Sequence, residues 1–247
     1  MKMRTIVIYS KTDKAGGNIS AILRDRYRVS PVEYEKGILH ATAIDFLRPY
    51  DLCIVASRHR SESGTPTLAA HSPGNFGKAE AGGGDRELGI APALFLRQAV
   101  KILQERKIGG FEATLEATHH GPTSLGLPVM FVEVGSTEKE WADGVACAAA
   151  ADAIKNLLSE EPERFPAAIG FGGGHYCRKF SSVRDFALGH ICPKHNLHNV
   201  DSDMVEQMIK KTVPAPKIAL VERKGLGKDK GRIMGLLAAA RLETVVV

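Results

Sequence analysis

The 247-residue sequence lacks most of the signatures that announce a function. No stretch approaches the roughly eighteen apolar residues that a membrane-spanning helix needs, and Met1-Lys-Met-Arg-Thr-Ile-Val-Ile-Tyr9 has neither the apolar region nor the cleavage site of a signal peptide. No membrane association is therefore expected, and a cytoplasmic location is. The four cysteines, Cys53, Cys147, Cys177 and Cys192, show no C-x-x-C spacing, which leaves no zinc ribbon or disulfide framework to read. Cys177 follows His175-Tyr176 directly but has no predictable base, so it reads as a bystander thiol.

The glycine motifs are also incomplete. No G-x-G-x-x-G surrounds Gly172–Gly174, and Gly225-Leu-Gly-Lys228 lacks both the spacing and the hydroxyl residue of a phosphate-binding Walker loop. A nucleotide cofactor is thus not expected. There is no G-x-S-x-G elbow and no H-E-x-x-H helix, so any hydrolytic site must be assembled from dispersed residues. With 44% hydrophobic and 25% charged residues the chain is ordinary globular material, able to build a sizeable core as one domain over 1–247, with two closely packed lobes as an alternative division.

What is present is histidine in unusual company. Phe111 to Thr118 alternates like a strand and ends in Glu116-Ala-Thr-His119-His120-Gly121-Pro122-Thr123, which puts two imidazoles and a Gly-Pro break at a strand end. Neighbouring side chains on an extended chain point to opposite sides, so the break must turn the backbone if both rings are to work together. The alternative for the pair alone is one structural imidazole beside one solvated one. His59 and His71 follow the apolar run Leu52–Ala56, and His175 follows Ala167–Gly170, both runs short and suited to buried parallel strands. Several His-bearing loops at strand ends would converge on one cleft.

The remaining pattern is alternating β and α. Strands are expected at Met3–Tyr9, Asp51–Ala56, Thr67–Ala70, Phe111–Thr118, Pro128–Val134, Ala167–Gly170, Gly189–Cys192 and Pro216–Glu222. Helices are expected from an Asn18 cap, and over Pro92–Lys107, Glu138–Leu158, Ser181–Leu188, Asp203–Thr212 and Gly231–Leu242. That order predicts an α/β fold in three α/β/α layers around a mostly parallel or mixed sheet. The segment from His59 to Leu88 is rich in Gly, Ser and Pro, and loops of such length are usually functional.

The net charge of +5 and pI near 9.0 permit a polyanionic partner without demanding one. Arg58, Arg60 and Lys78, then Arg178-Lys179, then Arg223-Lys224 with Lys228, Lys230 and Arg232 form a basic rim suited to phosphate.

Taken together, these segments resemble the D-aminoacyl-tRNA deacylases of the archaeal and plant type. The resemblance rests on Ser57-Arg-His59-Arg-Ser61-Glu-Ser63-Gly64, His71-Ser-Pro-Gly-Asn75 and Glu116–Thr123, then Phe131-Val-Glu133 through Trp141, Gly172–Tyr176, Gly189-His190 and Gly225–Lys228. It spans nearly the whole chain in order. It implies an α/β fold similar to phosphorylase/hydrolase-like enzymes, hydrolysis of the ester joining a D-amino acid to the 3′ adenosine of tRNA, association with zinc, and a monomer. The resemblance carries over the motif positions and not individual roles; from the chemistry of the residues, His59, His119, His120 and His175 are the candidates for catalysis and His71, His119, His120, Glu133 and His175 the candidate metal ligands. Ser57, Ser61, Asn75, Thr123, Gly173, Gly174, Tyr176 and Lys228 are the candidate substrate contacts, and Tyr176 and Phe180 are each either a stacking platform for the adenine or part of the core. The residues alone leave open a zinc-dependent peptidase or amidase, and an RNA-binding protein whose histidines touch phosphate.

Overall fold

The computed structural model describes residues 3–42 and 44–247. The chain opens with β1 (Thr5–Ser10), α1 (Lys14–Tyr27), β2 (Val32–Tyr34), β3 (Leu52–Arg60) and β4 (Thr67–His71). There follow β5 (Ala91–Pro92), α2 (Ala93–Arg106), β6 (Glu112–Leu115), β7 (Val129–Ser136), α3 (Glu138–Trp141) and α4 (Gly144–Ser159). The last third contributes β8 (Ala167–Phe171), α5 (Arg178–Ser182), β9 (Ala187–Cys192), α6 (Ser202–Lys210), β10 (Thr212–Val213), β11 (Ile218–Val221), α7 (Lys230–Ala239) and β12 (Glu243–Val246). Among the described residues no helix is long and apolar enough to cross a membrane.

The α/β class is as expected, but the strands divide between sheets. The larger has the order β2-β1-β3-β7-β4-β6, with every pairing parallel except β4 against β7. The smaller is the parallel set β12-β11-β8-β9, and β5 and β10 form a short ribbon. One apolar cluster packs α1, α2 and α4 onto the face of the larger sheet that carries Val7, Ile54, Leu68, Ala70, Val132 and Val134. Because side chains alternate along a strand, the opposite face carries Cys53, Val55 and Phe131 in a second cluster and, further along the same rows, His59 and Glu133. The helices therefore cover one face and leave the other to the histidines.

Several boundaries depart from expectation for identifiable reasons. Helix α1 starts at Lys14, not near Asn18, because Asp13 caps it by accepting from Gly16 N–H at 2.8 Å. A Cβ on Gly16 would lie 2.5 Å from the Ala56 carbonyl oxygen, so the glycine that weakens the helical pattern is what lets the helix approach β3. The helix expected over Glu138–Leu158 is two, broken where Asp143 accepts from Val145 and Ala146 N–H and starts α4. The helix expected at Ser181–Leu188 lies earlier, at Arg178–Ser182, and Ala187 already belongs to β9. Strand β3 continues to Arg60, so Ser57 and His59 stand on it instead of in a loop beyond.

His190 joins the smaller sheet to the histidine loop. Its Nε2–H donates to the Gly89 carbonyl and its Nδ1 accepts from the Thr118 hydroxyl, both at 3.1 Å. Burial lowers its pKa to about 4, and the hydrogen bond to Gly89 opposes that only partly. A histidine in the unfolded chain takes its proton near ~6.5, so unfolding absorbs a proton between that pH and about 4. The stability that depends on neutral His190 is complete above the unfolded pKa and is lost as pH falls toward the folded one. His190→Gln is expected to remove up to about 1.4 kcal/mol per pH unit from the acid-side slope of unfolding free energy. Urea denaturation of both proteins at several pH values between 7.5 and 5 measures this; identical slopes would mean that His190 protonates within the fold.

Candidate active site

Three neighbouring strands place the first group of residues. In the parallel register of β3 and β7, Ser57 lies opposite Glu133 and His59 opposite Gly135, while antiparallel β4 sets Ala69 opposite Glu133 and His71 opposite Phe131. His59, Glu133 and His71 consequently share one face, with Glu133 between the two rings. A Cβ on Gly135 would come within 2.8 Å of the His59 side chain, so the imidazole crosses β7 only because that position is bare. The indole N–H of Trp141 donates to the His59 carbonyl at 2.9 Å and fixes the strand end from behind.

The second group arrives after β6. Glu116 is 2% exposed and sits on the first residue past that strand, with its N–H bonded to the Ala70 carbonyl. At His120 the chain adopts φ +43°, the left-handed region uncommon for a branched or aromatic side chain, and this turn brings both rings of the pair to one side. Their centroids are 4.3 Å apart, His119 lies 4.2 Å from His71 and 4.6 Å from His175, and His175 stacks on His59 at 5.2 Å. The five imidazoles proposed from sequence are thus brought into one cluster.

Two buried carboxylates underlie it. Glu133 Oε2 is 3.5 Å from His71 Nε2 and 3.7 Å from His59 Nδ1. Glu116 lies 3.3 Å from both His59 Nδ1 and His175 Nε2, and 3.8 Å from His119 Nε2. Burial would raise the Glu133 carboxyl, but its contacts with His59 and His71 hold it below the usual carboxylate range. For His59 burial acts downward, and Glu133 and Glu116 outweigh it, raising the ring to about 9. Burial and the nearby imidazoles push His119 well down, and His120, by the same causes, to about 3.

The tautomers of three histidines are set by the backbone. Nδ1 of His71, His119 and His120 lies 3.2, 2.8 and 2.7 Å from the carbonyl oxygens of Ser72, Ala117 and Gly121. A carbonyl can only accept, so each Nδ1 carries a hydrogen and Nε2 is the atom turned toward the cluster; at His71 burial acts downward and Glu133 outweighs it, so that ring is raised. His71 Nε2 and both Glu116 oxygens are buried without a hydrogen-bond partner. Ligand atoms from His71, His119 and His120 lie within 4.8 Å of one another, as do those of His59, Glu116, His119 and His175, and those of His71, Glu116 and Glu133. Oriented imidazole nitrogens with unsatisfied carboxylate oxygens are a donor set that fits a divalent metal.

Above the cluster opens a cavity of about 680 Å³ lined by Ser57, Ser61, Arg58, Arg60 and the loop around Leu39. Ser57 donates to Asp13, whose carboxyl is raised by burial against the opposing N–H bonds of Gly16 and Arg58. Tyr176 places its hydroxyl 3.1 Å from His59 Nε2. Asn75 and Thr123 are turned elsewhere: Asn75 donates to the Gly82 and Gly84 carbonyls and the Thr123 hydroxyl to Glu87, so both hold the glycine-rich segment in shape. Phe180 is 1% exposed in the core and is unavailable for stacking. Gly173 and Gly174 line a separate cavity, Lys228 is exposed on the turn before α7, and Arg232 donates to the Leu197 and Val200 carbonyls and so is not part of a rim. Glu116 was not among the sequence candidates; the signal available was an acid closing a strand directly before the His pair.

A model of D-aminoacyl-tRNA deacylases matches residues 46–245. The chain belongs to the D-aminoacyl-tRNA deacylase family. It is 38% identical to the D-aminoacyl-tRNA deacylase of Cenarchaeum symbiosum, covering 94% of this chain and 96% of that one. Identity to the Korarchaeum cryptofilum deacylase is 33%, over 100% and 94% of the two chains. The Methanocorpusculum labreanum deacylase is longer: at 36% identity this chain spans 57% of it. A crystal structure of a conserved protein of unknown function superposes with a TM-score of 0.91 at 25% identity, covering 100% of this chain and 96% of that chain.

Gly135→Ala should force His59 and β7 apart and destabilise the fold by about 1–3 kcal/mol, the usual range for overpacking. Urea denaturation measures it, and an unchanged midpoint would mean that the imidazole has room to retreat.

Proposed function

We propose that this chain hydrolyses the ester between a D-amino acid and the 3′-terminal adenosine of tRNA, releasing both, as a cytoplasmic monomer whose site is completed by zinc. The observation that carries the reading is the convergence of five imidazoles and two buried carboxylates, with His59, His119, His120, Glu133 and His175 lining one open cavity and His71 and Glu116 buried behind them, in a chain of this family. Membership in the family supports the substrate.

His71, His119 and His120 would hold the metal through Nε2, since their Nδ1–H groups are already given to backbone carbonyls. Bound there, zinc supplies Lewis-acid polarisation of an ester carbonyl and acidifies water toward neutrality.

The chain's own groups handle the protons. Attack of water on an ester requires a base for the water, donors for the carbonyl oxygen as charge develops, and a proton for the departing 3′ oxygen. Glu116, buried with both oxygens unsatisfied and 3.3 Å from His59 and His175, is placed to take the proton of the water. His59 spans the distance from Glu116 to the Tyr176 hydroxyl, with Nδ1 toward the carboxylate and Nε2 toward the phenol, a path by which that proton reaches the leaving oxygen. Ser57 and Ser61 at the wall, and His175 beside the cavity, are the groups that orient the aminoacyl moiety.

Release of amino acid from matched D- and L-aminoacyl-tRNA tests this directly. Rapid loss of the D-ester alone is expected, with the rate abolished by a chelator and restored by zinc; cleavage of neither ester with zinc supplied would sink the reading. His119→Ala and His120→Ala should each lower kcat/KM by at least about 10²-fold, the scale of lost acid–base or metal catalysis, while leaving the circular dichroism spectrum unchanged. Full activity in both variants would remove the cluster from the chemistry.

A further inference from the structure

A second cavity, of about 330 Å³, opens on the far side of Tyr176 from the histidine cluster. Its walls come from the triple-glycine segment after β8, from Arg178 and Lys179 at the start of α5, from Lys194, and from Glu222, Lys224 and Gly225 after β11. Two of the four cations are neutralised: Arg178 pairs with Glu112 through both carboxylate oxygens at 2.6 and 2.7 Å, and Lys179 lies 3.5 Å from Glu222. Lys194 and Lys224, both exposed, have no carboxylate partner among the described residues. Among the described residues the N–H of Gly174 also meets no acceptor, and no atom lies within 4 Å of where its Cβ would be. Two unpaired ammonium groups and a free backbone donor around one concavity are an anion site. With Arg178 and Lys179 paired, the net charge of the wall rests on Lys194 and Lys224, and a backbone phosphodiester is the anion that an RNA ester brings to it.

The location specifies the source of that phosphodiester. Tyr176 lines this cavity and packs its ring 5.6 Å from His59 and 5.3 Å from His175, so the phenol is the partition between the basic cavity and the hydrolytic cluster. A nucleoside ester seated over the histidines carries a phosphate at the 5′ oxygen of the same sugar, and the cavity that shares Tyr176 with the cluster is a cationic concavity bordering it. We infer that the cavity between the triple glycine and Lys224 binds a backbone phosphodiester of the single-stranded 3′ end of the substrate RNA, with Lys194 and Lys224 as its cationic contacts and the Gly174 N–H as its neutral one. This rests on the RNA-ester reading above. The contact is blind to sequence and to the amino acid, and it separates esters carried on RNA from free amino-acid esters of the same handedness.

The test uses K194A/K224A in the full chain, with K101A/K217A, two exposed lysines elsewhere, as the control for general charge. The binding probe is a fluorescein-labelled eight-nucleotide RNA ending in CCA and carrying no amino acid, followed by anisotropy across a salt series. K194A/K224A is expected to bind about tenfold more weakly at low salt, with the log–log salt slope shallower by at least ~0.7, the value for one single-strand phosphate. The control should match wild type. In turnover the double variant should raise KM for D-aminoacyl-tRNA about tenfold, leave kcat unchanged, and cleave the phosphate-free 3′-O-D-aminoacyl-adenosine like wild type. Binding and KM within twofold of wild type would overturn the subsite. So would an equal loss on the adenosine ester, which would place the lysines in the ester pocket, or an equal loss in the control. If wild-type protein binds the RNA and loses it on K194A/K224A but hydrolyses neither ester, the phosphate site stands and the deacylase reading falls.

Discussion

Burying two carboxylates beneath one cavity is the constraint from which the rest of the site follows. An isolated carboxylate removed from water is so unfavourable that it must be paired, bound to metal or protonated. Glu116 and Glu133 are each about 2% exposed, and what surrounds them is imidazole. His71 and His59 flank Glu133, and His59, His119 and His175 surround Glu116. The histidines are therefore more than catalytic decoration: they let the acids exist in the interior, and the acids in turn hold His59 cationic. Of these rings His71, His119 and His120 hand Nδ1–H to the backbone, and His59, His71, His119 and His175 meet a carboxylate.

The architecture keeps this arrangement accessible. Helices α1, α2 and α4 bury one face of the larger sheet, so the opposite face is free to carry polar residues at the strand ends. The smaller sheet then supplies His175 and Tyr176 from the loop after β8, and His190 ties that sheet to Thr118 beside the His pair. The site lies where two sheets meet, and neither alone contains it.

Much of this was legible in the sequence, and the failures are informative. The apolar runs of β1, β3, β7, β8 and β11 are continuous and β-branched, so their strands were readable, as was convergence of the five histidines. The apolar run of β3 ends at Ala56 because Ser57, His59 and Arg60 are polar, yet they extend a strand whose one face becomes the site. Glu116 went unread because an acid at a strand end is ordinary until the fold buries it. Asn75 and Thr123 stand in motif segments that suggest substrate contact, while their hydrogen bonds shape the glycine-rich segment, which no local pattern could reveal. The short strands β2, β5, β10 and the terminal β12 have little periodicity of their own and form because partners are already in place.

The one antiparallel pairing in the larger sheet has a consequence for how the molecule comes into being. Strand β4 lies between β7 and β6, both of which follow it in the chain. During synthesis it emerges with neither neighbour made, and the His71–Glu133 pair cannot close until β7 has left the ribosome. Pairings between segments so far apart in sequence form slowly, because loop closure precedes the contacts that reward it. The hydrolytic centre is thus among the last parts of the larger sheet to be assembled, and a nascent chain carrying His59 and His71 alone has the rings without the acid that gathers them.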